Sequence, residues 1–316
     1  MMISSIYLDI EILEMQKYPA PLSDVLITAL APTIWGSTYF VTTSFLPHGY
    51  PLTVAFLRAF PAGLLLLAIV RKLPQGVWWF RAFVLGGLNF SFFWAMLFVS
   101  AYRLPGGVAA TVGAIQPLVV ILLSRLFLAR PIQALAVSAG LFGMMGVALL
   151  VLTPNAALDP IGVAAGLAGA VSMAFGTVLT RRWVTPVSNL AFTAWQLTAG
   201  GILLAPVAFL FEPAFPAPTA ANILGIAYLG LIGAAFTYLL WFRGLARIEP
   251  SAAAPLGFLS PVTATLLGWL GLGQSLTPAQ LFGFAMVLAS VWLSQRTMSV
   301  RPIRPDASPE RASRPA

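Results

Sequence analysis

Ten apolar stretches follow one another along this chain, each about the 20 residues a helix needs to cross a hydrocarbon layer, with only short connections between them. They run from Val25 to Ser44, Leu52 to Val70, Ala82 to Ala101, Gly107 to Leu126, Gln133 to Leu152, Ile161 to Thr180, Leu190 to Leu210, Ala221 to Phe242, Ser251 to Gly271 and Pro278 to Ser294. No water reaches the backbone inside a bilayer, so such stretches fold as helices whose hydrogen bonds are internal. The connections carry turn residues, among them Pro47, Gly49 and Pro51, Pro74 and Gly76, Pro105 and Gly106, Pro154, Asn155 and Pro160, and Pro213, Pro216 and Pro218. Ten spans use about two thirds of the chain and leave no room for a soluble domain. Composition agrees. Charged residues make up 8 % and hydrophobic residues 59 % of the chain, whereas an ordinary soluble domain is about 25 % charged. That excludes a soluble enzyme, whose surface needs more charge, and a disordered chain. The net charge of +8 is carried by few residues and reads as a membrane-orientation signal, so no nucleic-acid partner is expected. Cysteine is absent; no disulfide, thiolate metal site or cysteine nucleophile is available, and no cofactor or metal is expected.

The basic residues test the span count independently. With a cytoplasmic N-terminus and alternating spans, the cytoplasmic segments hold Lys17; Arg71, Lys72 and Arg81; Arg125 and Arg130; Arg181 and Arg182; Arg243 and Arg247; and Arg296, Arg301, Arg304, Arg311 and Arg314. Those are 15 of the 17 Lys and Arg. Arg103 falls on the outer side and Arg58 inside a span. This positive-inside bias supports ten spans with both termini inside. The expected division is a cytoplasmic segment over 1–23, a first half over 24–153, a second over 154–295 and a disordered Arg-, Pro- and Ser-rich tail over 296–316. Met1 to Gln16 carry Asp9, Glu11 and Glu14 without a basic n-region, unlike a secretory signal, and Met15 is an alternative start. Arginine outnumbers lysine 15 to 2, which with the abundant alanine suggests a GC-rich bacterial genome and hence the inner membrane.

The two halves repeat. Shifted by 138 residues, Leu52 falls on Leu190, Gly63 on Gly201 and Arg58 on Gln196; shifted by 144, Gly86 falls on Gly230, Phe92 on Phe236, Arg103 on Arg247, Gly113 on Gly257 and Pro117 on Pro261. Leucine matches are cheap in apolar helices, but Arg, Gly and Pro in one register are not. Each repeat holds five spans, so the second copy enters the membrane upside down. Inverted repeats mark alternating-access carriers with a site near the midplane. The fold expected is an all-α integral membrane protein of ten transmembrane helices in two inverted five-helix repeats.

At this point a family resemblance appears. Trp35-Gly36-Ser37, Phe56-Leu57-Arg58, Tyr102-Arg103-Leu104-Pro105 and Gly113-Ala114-Ile115-Gln116-Pro117 in the first half, with Gly176-Thr177-Val178-Leu179, Arg181-Arg182 and Leu259-Ser260-Pro261 in the second, resemble the ten-span branch of the drug/metabolite transporter superfamily, with two EamA-type domains over about residues 24 to 295. The resemblance implies export of amino acids or other metabolites. One departure stands out: members often carry a Gly-Glu pair after the ninth span, and here the pair is Gly273-Gln274.

Among single residues, the Gly-x-x-x-Pro pattern recurs as Gly113 to Pro117 and Gly257 to Pro261. A proline inside a helix displaces the carbonyl four residues earlier, here that of Gly113 or Gly257. Pro117 and Pro261 are candidate hinges. The freed carbonyls either face a wet cavity, where they could accept from a substrate ammonium group, or mark plain kinks. Trp35, Thr38, Tyr39 and Thr42 share one face of the first span. Thr237, Tyr238 and Trp241 share one face of the eighth, opposite Phe93, Trp94 and Leu97 in the repeat. Such faces line a cavity or form interfacial belts; mid-depth Trp35 argues against a belt, whereas Trp241 suits either. Gln116 and Ser260 precede the two prolines, and Gln116 is expected in the cavity. Asn89 either bonds another helix or lines the cavity. With Met173, the candidate substrate-binding set is Trp35, Tyr39, Trp94, Gly113, Gln116, Met173, Tyr238, Gly257 and Ser260. Arg58 is a possible charge site for an anionic group such as a carboxylate. It also lies only about seven residues, roughly 10 Å, from the outer end, and snorkelling to the surface is the favoured expectation.

No Asp or Glu lies within the ten spans; Asp24, Asp159, Glu212 and Glu249 sit at their margins, and the sole histidine, His48, is in an outer loop. A proton-coupled carrier needs a titratable relay, so the expectation is a facilitator, or coupling through a marginal carboxylate such as Glu249. The leading function is export of amino acids or similar small amphipathic metabolites. The alternatives are a permease for a sugar, nucleoside or cationic drug, and, in another class, a lipid-handling intramembrane enzyme or flippase. The chain offers no metalloprotease His-Glu pair, no Gly-x-Ser-x-Gly elbow and no carboxylate dyad, which argues against an enzyme. The expected partners are the bilayer, a small-molecule substrate and, as an open case, a second copy of the chain.

Overall fold

The computed structural model describes residues 21–104, 106–151, 159–272 and 276–296. Asn155, Pro105, Gly273-Gln274, the N-terminal segment before Pro21 and the tail after Arg296 lie outside the described residues, as do the side chains of Tyr39 and Tyr102.

Helices begin where the sequence supplies a start signal. Pro51 opens the second span and Pro250 the ninth, each in the first turn, where the missing N–H costs nothing. Asp159 caps the sixth span by accepting from the Gly162 amide at 2.8 Å. Thr219 and Asn222 cap each other's backbone at the start of the eighth. The first span is two helices, Leu22–Trp35 and Ser37–Phe45, and the second is Pro51–Val70. The third runs through Trp78–Gly86, a π-helical turn at Gly87–Ser91 and Phe92–Arg103. The fourth is Gly106–Gly113 and Gln116–Leu128; the fifth, sixth and seventh are Ala134–Val151, Pro160–Arg182 and Asn189–Phe211. The eighth runs through Ala220–Ala227, a π-helical Tyr228–Phe236 and Thr237–Arg247. The ninth is Pro250–Ala253, a 3₁₀ stretch at Ala254–Phe258 and Leu259–Leu272; the tenth is Pro278–Arg296.

Among the described residues, 9 of these helical segments are long and apolar enough to cross a bilayer. The tenth segment is 19 residues long, and Gln280 and Gln295 near its two ends lower its hydropathy. Both glutamines bond neighbouring spans: Gln280 Nε2 donates to the Leu150 carbonyl at 3.1 Å and Gln295 Nε2 to the Ala252 carbonyl at 2.9 Å. The lipid-facing perimeter carries large apolar side chains such as Ile69, Phe80, Leu210 and Trp292.

Contacts at the span ends verify the alternation. At the end where span one starts, that start meets the end of span eight through Asp24 and Arg243, and the end of span four meets the start of span nine through Arg130 and Glu249. At the opposite end, the end of span three meets the start of span six through Arg103 and Asp159. There too Glu212, closing span seven, accepts from the Leu52 and Thr53 amides of span two at 2.6 and 2.7 Å.

The helix pairings obey the repeat. Spans two and seven pack on each other, as do five and ten, and the pairing of three with six mirrors that of eight with one. Small residues make these contacts close. A Cβ on Gly146 would lie 2.9 Å from the Gly283 carbonyl oxygen, and one on Gly283 would lie 2.7 Å from that of Gly146, so spans five and ten touch backbone to backbone. Gly162 and Gly166 of span six pack likewise against Leu104 and Val112. The irregular turns also repeat. Each π-helical segment falls in the third span of its half, and each fourth span loses regular α geometry around its Gly-x-x-x-Pro.

Candidate functional site

The fourth span stops at Gly113 and resumes at Gln116, with Pro117 in the first turn of the second piece. Across the break the backbone tightens. The Ile115 amide donates to Val112 at 3.3 Å and the Leu118 amide to Ile115 at 3.0 Å. These are three-residue steps in place of four. In the ninth span a 3₁₀ stretch ends at Phe258, just past Gly257, and Pro261 lies in the first turn of the α-helix that follows. Most described helical glycines are wedged against a neighbour. A Cβ on Gly36 would lie 2.5 Å from the Ser260 carbonyl and one on Gly63 2.5 Å from the Thr198 amide. Gly113 and Gly257 differ. A Cβ on Gly113 would meet nothing within 4 Å, and one on Gly257 would meet only Gln116 Oε1, at 3.9 Å. Gly113, Gln116 and Gly257 therefore border open space where spans four and nine face each other. Ser260 follows one turn on, and Gly36 lets the first span lie against its backbone.

That contact sets the position of Trp35. Its Nε1 donates to Thr237 Oγ1 at 2.8 Å, and Thr237 Oγ1 donates to the Gly233 carbonyl at 2.9 Å. The Trp35 ring lies 4.9 Å from Tyr238 and 5.4 Å from Trp241. Behind it runs a continuous aromatic stack: Tyr238 is 4.5 Å from Phe90, and Phe90 is 5.3 Å from Trp94. The candidate residues thus fall into two layers. Trp35, Gly113, Gln116, Gly257 and Ser260 are half-buried. Trp94, Met173 and Tyr238 are packed away, at 4 %, 5 % and 2 % exposure. Met173 lies between Gly169 and Gly176 on the face of span six that meets span three. Trp241 is buried beside Trp35, so an interfacial belt position is ruled out for it.

Two polar side chains resolve differently from each other. Asn89 is a helix-to-helix tie: its Nδ2 donates to Gln196 Oε1 at 2.8 Å, and it fills the space over Gly176. Arg58 does not snorkel as expected. It turns inward, where its Nη2 donates to the Gly233 carbonyl at 2.6 Å and its guanidinium lies 4.8 Å from the Trp94 ring centre. The physical reason is local: span eight is π-helical at Gly233, which leaves a carbonyl off the regular ladder, and the Trp94 face attracts the cation. Sequence reasoning missed the Phe90 and Gly233 roles. The register that sets Arg58 opposite Gln196 also sets Asn89 opposite Gly233, and that signal was available.

All four acids among the described residues are engaged. Asp24 binds Arg243 at 2.6 Å and Arg247 at 3.3 Å; Glu249 binds Arg130 at 2.9 Å; Asp159 lies 3.6 Å from Arg103; and Glu212 caps span two. Arg181 donates to the Leu245 and Ala246 carbonyls at the same end as Asp24.

Two five-helix halves, inverted and interlocked around a break in the fourth span of each, define a multi-pass membrane transporter. The chain belongs to the EamA-like transporter family, whose profile matches residues 22–152 and 160–295. It is 46 % identical over 267 residues to Protein PecM of Dickeya dadantii, covering 84 % of this chain and 90 % of that protein. It is 29 % identical over 283 residues to the uncharacterized inner membrane transporter YedA of Escherichia coli K12, covering 87 % of this chain and 92 % of that one. A solved crystal structure shares the fold, with a TM-score of 0.75 at 21 % identity over 87 % of this chain and 98 % of its own.

Proposed function

We propose that this protein exports small metabolites, amino acids or related amphipathic compounds, across the bacterial inner membrane by alternating access. The observation that carries the reading is the open space bordered by Gly113, Gln116 and Gly257, where the two repeats present the same Gly-x-x-x-Pro break to each other. Trp35 supplies an aromatic wall there, and Gln116 and Ser260 supply polar groups that orient a substrate. Rocking of the halves about Pro117 and Pro261 exposes this space to each side in turn. The basic bias of the loops puts the termini in the cytoplasm, so the closely latched end is the inner one. With no acid inside the described spans and the marginal carboxylates all held in ion pairs or caps, transport runs down the substrate gradient.

The test is a metabolite screen on cells with and without the protein. Intracellular amino acids fall on overexpression, and resistance to toxic analogues rises. Gln116→Ala and Trp35→Ala reduce export while membrane insertion stays intact. If both variants export normally the site lies elsewhere, and if no metabolite pool responds to the wild type the export reading fails.

A further inference from the structure

Arg58 is a cation inside a membrane span that meets a carbonyl and the Trp94 face but no acid among the described residues. The four described acids are engaged elsewhere, at the span ends. Its one hydrogen bond goes to a neutral carbonyl, that of Gly233, and its Nε is buried without a partner. An ionised group shielded from water is costly unless paired, and a charge kept at this depth is by default a functional one.

The other repeat shows what a purely structural version of this contact looks like. The repeat register equates Arg58 with Gln196 and Gly233 with Asn89, and the structure makes the contact twice. Asn89 of span three meets Gln196 of span seven at 2.8 Å, and Gly233 of span eight meets Arg58 of span two at 2.6 Å. In the first copy two neutral amides bond each other. In the second copy the span-seven amide is replaced by a guanidinium, and the span-three amide by a residue with no side chain. No amide stands beside Arg58 where Asn89 stands in the first copy: a Cβ on Gly233 would make ordinary contacts with Arg58 Nη2 at 3.7 Å and with the Leu229 side chain and the Tyr228 carbonyl at 3.8 Å, so a small group fits there without displacing a neighbour. A guanidinium has five donors in a planar fork matched to a carboxylate.

Building on the export reading, we propose that Arg58, beside the side-chain-free Gly233, forms an anion subsite that takes the single carboxylate of a substrate with an apolar or aromatic body. Trp35, half-buried and bonded to Thr237 one turn from Gly233, offers the aromatic face for that body. One cation with no second basic group beside it suits one carboxylate. Dianions, and amines lacking a carboxylate, are poor ligands.

The experiment uses the full-length purified protein and three probes that share a phenyl body: phenylacetate, phenylalanine and phenethylamine. Binding is read as a concentration-dependent rise in melting temperature, checked by tryptophan fluorescence. Phenylacetate and phenylalanine stabilise the wild type and phenethylamine does not. Arg58→Gln abolishes the shift, and Arg58→Lys keeps it with affinity reduced at least about tenfold, because an ammonium makes no bidentate contact. Gly233→Asn transplants the amide of the other repeat and weakens carboxylate binding by a similar factor. A Cβ at that position meets its neighbours at ordinary contact distances, so this variant serves if Arg58→Gln does not fold. Equal stabilisation by all three probes, no stabilisation by either carboxylate, or carboxylate binding unaffected by both Arg58→Gln and Gly233→Asn would overturn the subsite. Export of a carboxylate-bearing metabolite that is unchanged by Arg58→Gln would remove the subsite and leave the export reading standing. Arg58-dependent carboxylate binding without export from cells would do the reverse.

Discussion

At the end of the bundle that carries the termini, Asp24 is 6 % exposed and held by two arginines of span eight, the nearer at 2.6 Å. At the opposite end Arg103 with Asp159, the repeat counterpart of the 3.3 Å pair of Arg247 with Asp24, is 3.6 Å apart, with side chains 46 % and 37 % exposed, and Val99 stands where Arg243 adds the second tie. Both pairs join the two halves, both link the start of a first or sixth span to the end of an eighth or third, and they lie on opposite ends because the repeat is inverted. One architectural element therefore appears twice with unequal strength. A buried pair loses heavily when one partner is removed, whereas an exposed pair contributes little. The span-one-to-eight tie is therefore the better buried of the two, while at the opposite end the halves are also joined by Glu212, which accepts from the Leu52 and Thr53 amides.

The sharpest way to break this comparison is Asp24→Asn. It leaves Arg243 and Arg247 uncompensated, and the loss should reach about 3 kcal/mol, held to that because Arg247 also meets solvent; denaturation in detergent measures it. The same change should open the terminal end. Because the chain has no native cysteine, Gly113→Cys reports this directly. Asp24→Asn should raise its labelling by an impermeant thiol reagent from the terminal side several-fold, and Asp159→Asn should not. Next in size is Asn89→Leu, which strands the buried Gln196 amide and should cost about 1–3 kcal/mol. Its effect is on stability alone, with no change in sidedness of labelling. Smallest is Asp159→Asn, which keeps the cap on span six and removes only the exposed pair, for a loss below about 1 kcal/mol that high salt masks. Equal losses for Asp24→Asn and Asp159→Asn would erase the contrast between the ends.

The spans were legible because hydropathy and helix length are local properties. The ends moved where side chains reach outward. The third span begins at Trp78, where Arg81 lies over the Trp78 and Trp183 rings at 5.0 and 5.3 Å, and the eighth continues to Arg247 because Arg243 and Arg247 reach Asp24. The Gly-x-x-x-Pro breaks were legible because proline chemistry is local too. The π-helical turns were not, since their backbone is satisfied from other spans. Ser172 Oγ donates to the Leu88 carbonyl at 2.8 Å, and Arg58 Nη2 to that of Gly233 at 2.6 Å. The direction of Arg58 escaped for the same reason, because it depends on a glycine 175 residues away. Periodicity found the stripes holding Trp94 and Tyr238, but helical spacing alone does not say whether a stripe faces a cavity or another ring.

The backbone contact between Gly146 and Gly283 has a mechanical consequence. A seesaw needs a fulcrum, a place where its two arms meet and do not separate. In the proposed rocking, spans five and ten, one from each half and touching here with no side chain between their backbones, are the place about which a tilt of one half moves both ends. A single methyl group on either glycine would thicken the pivot and alter the throw of both arms at once, without touching a substrate.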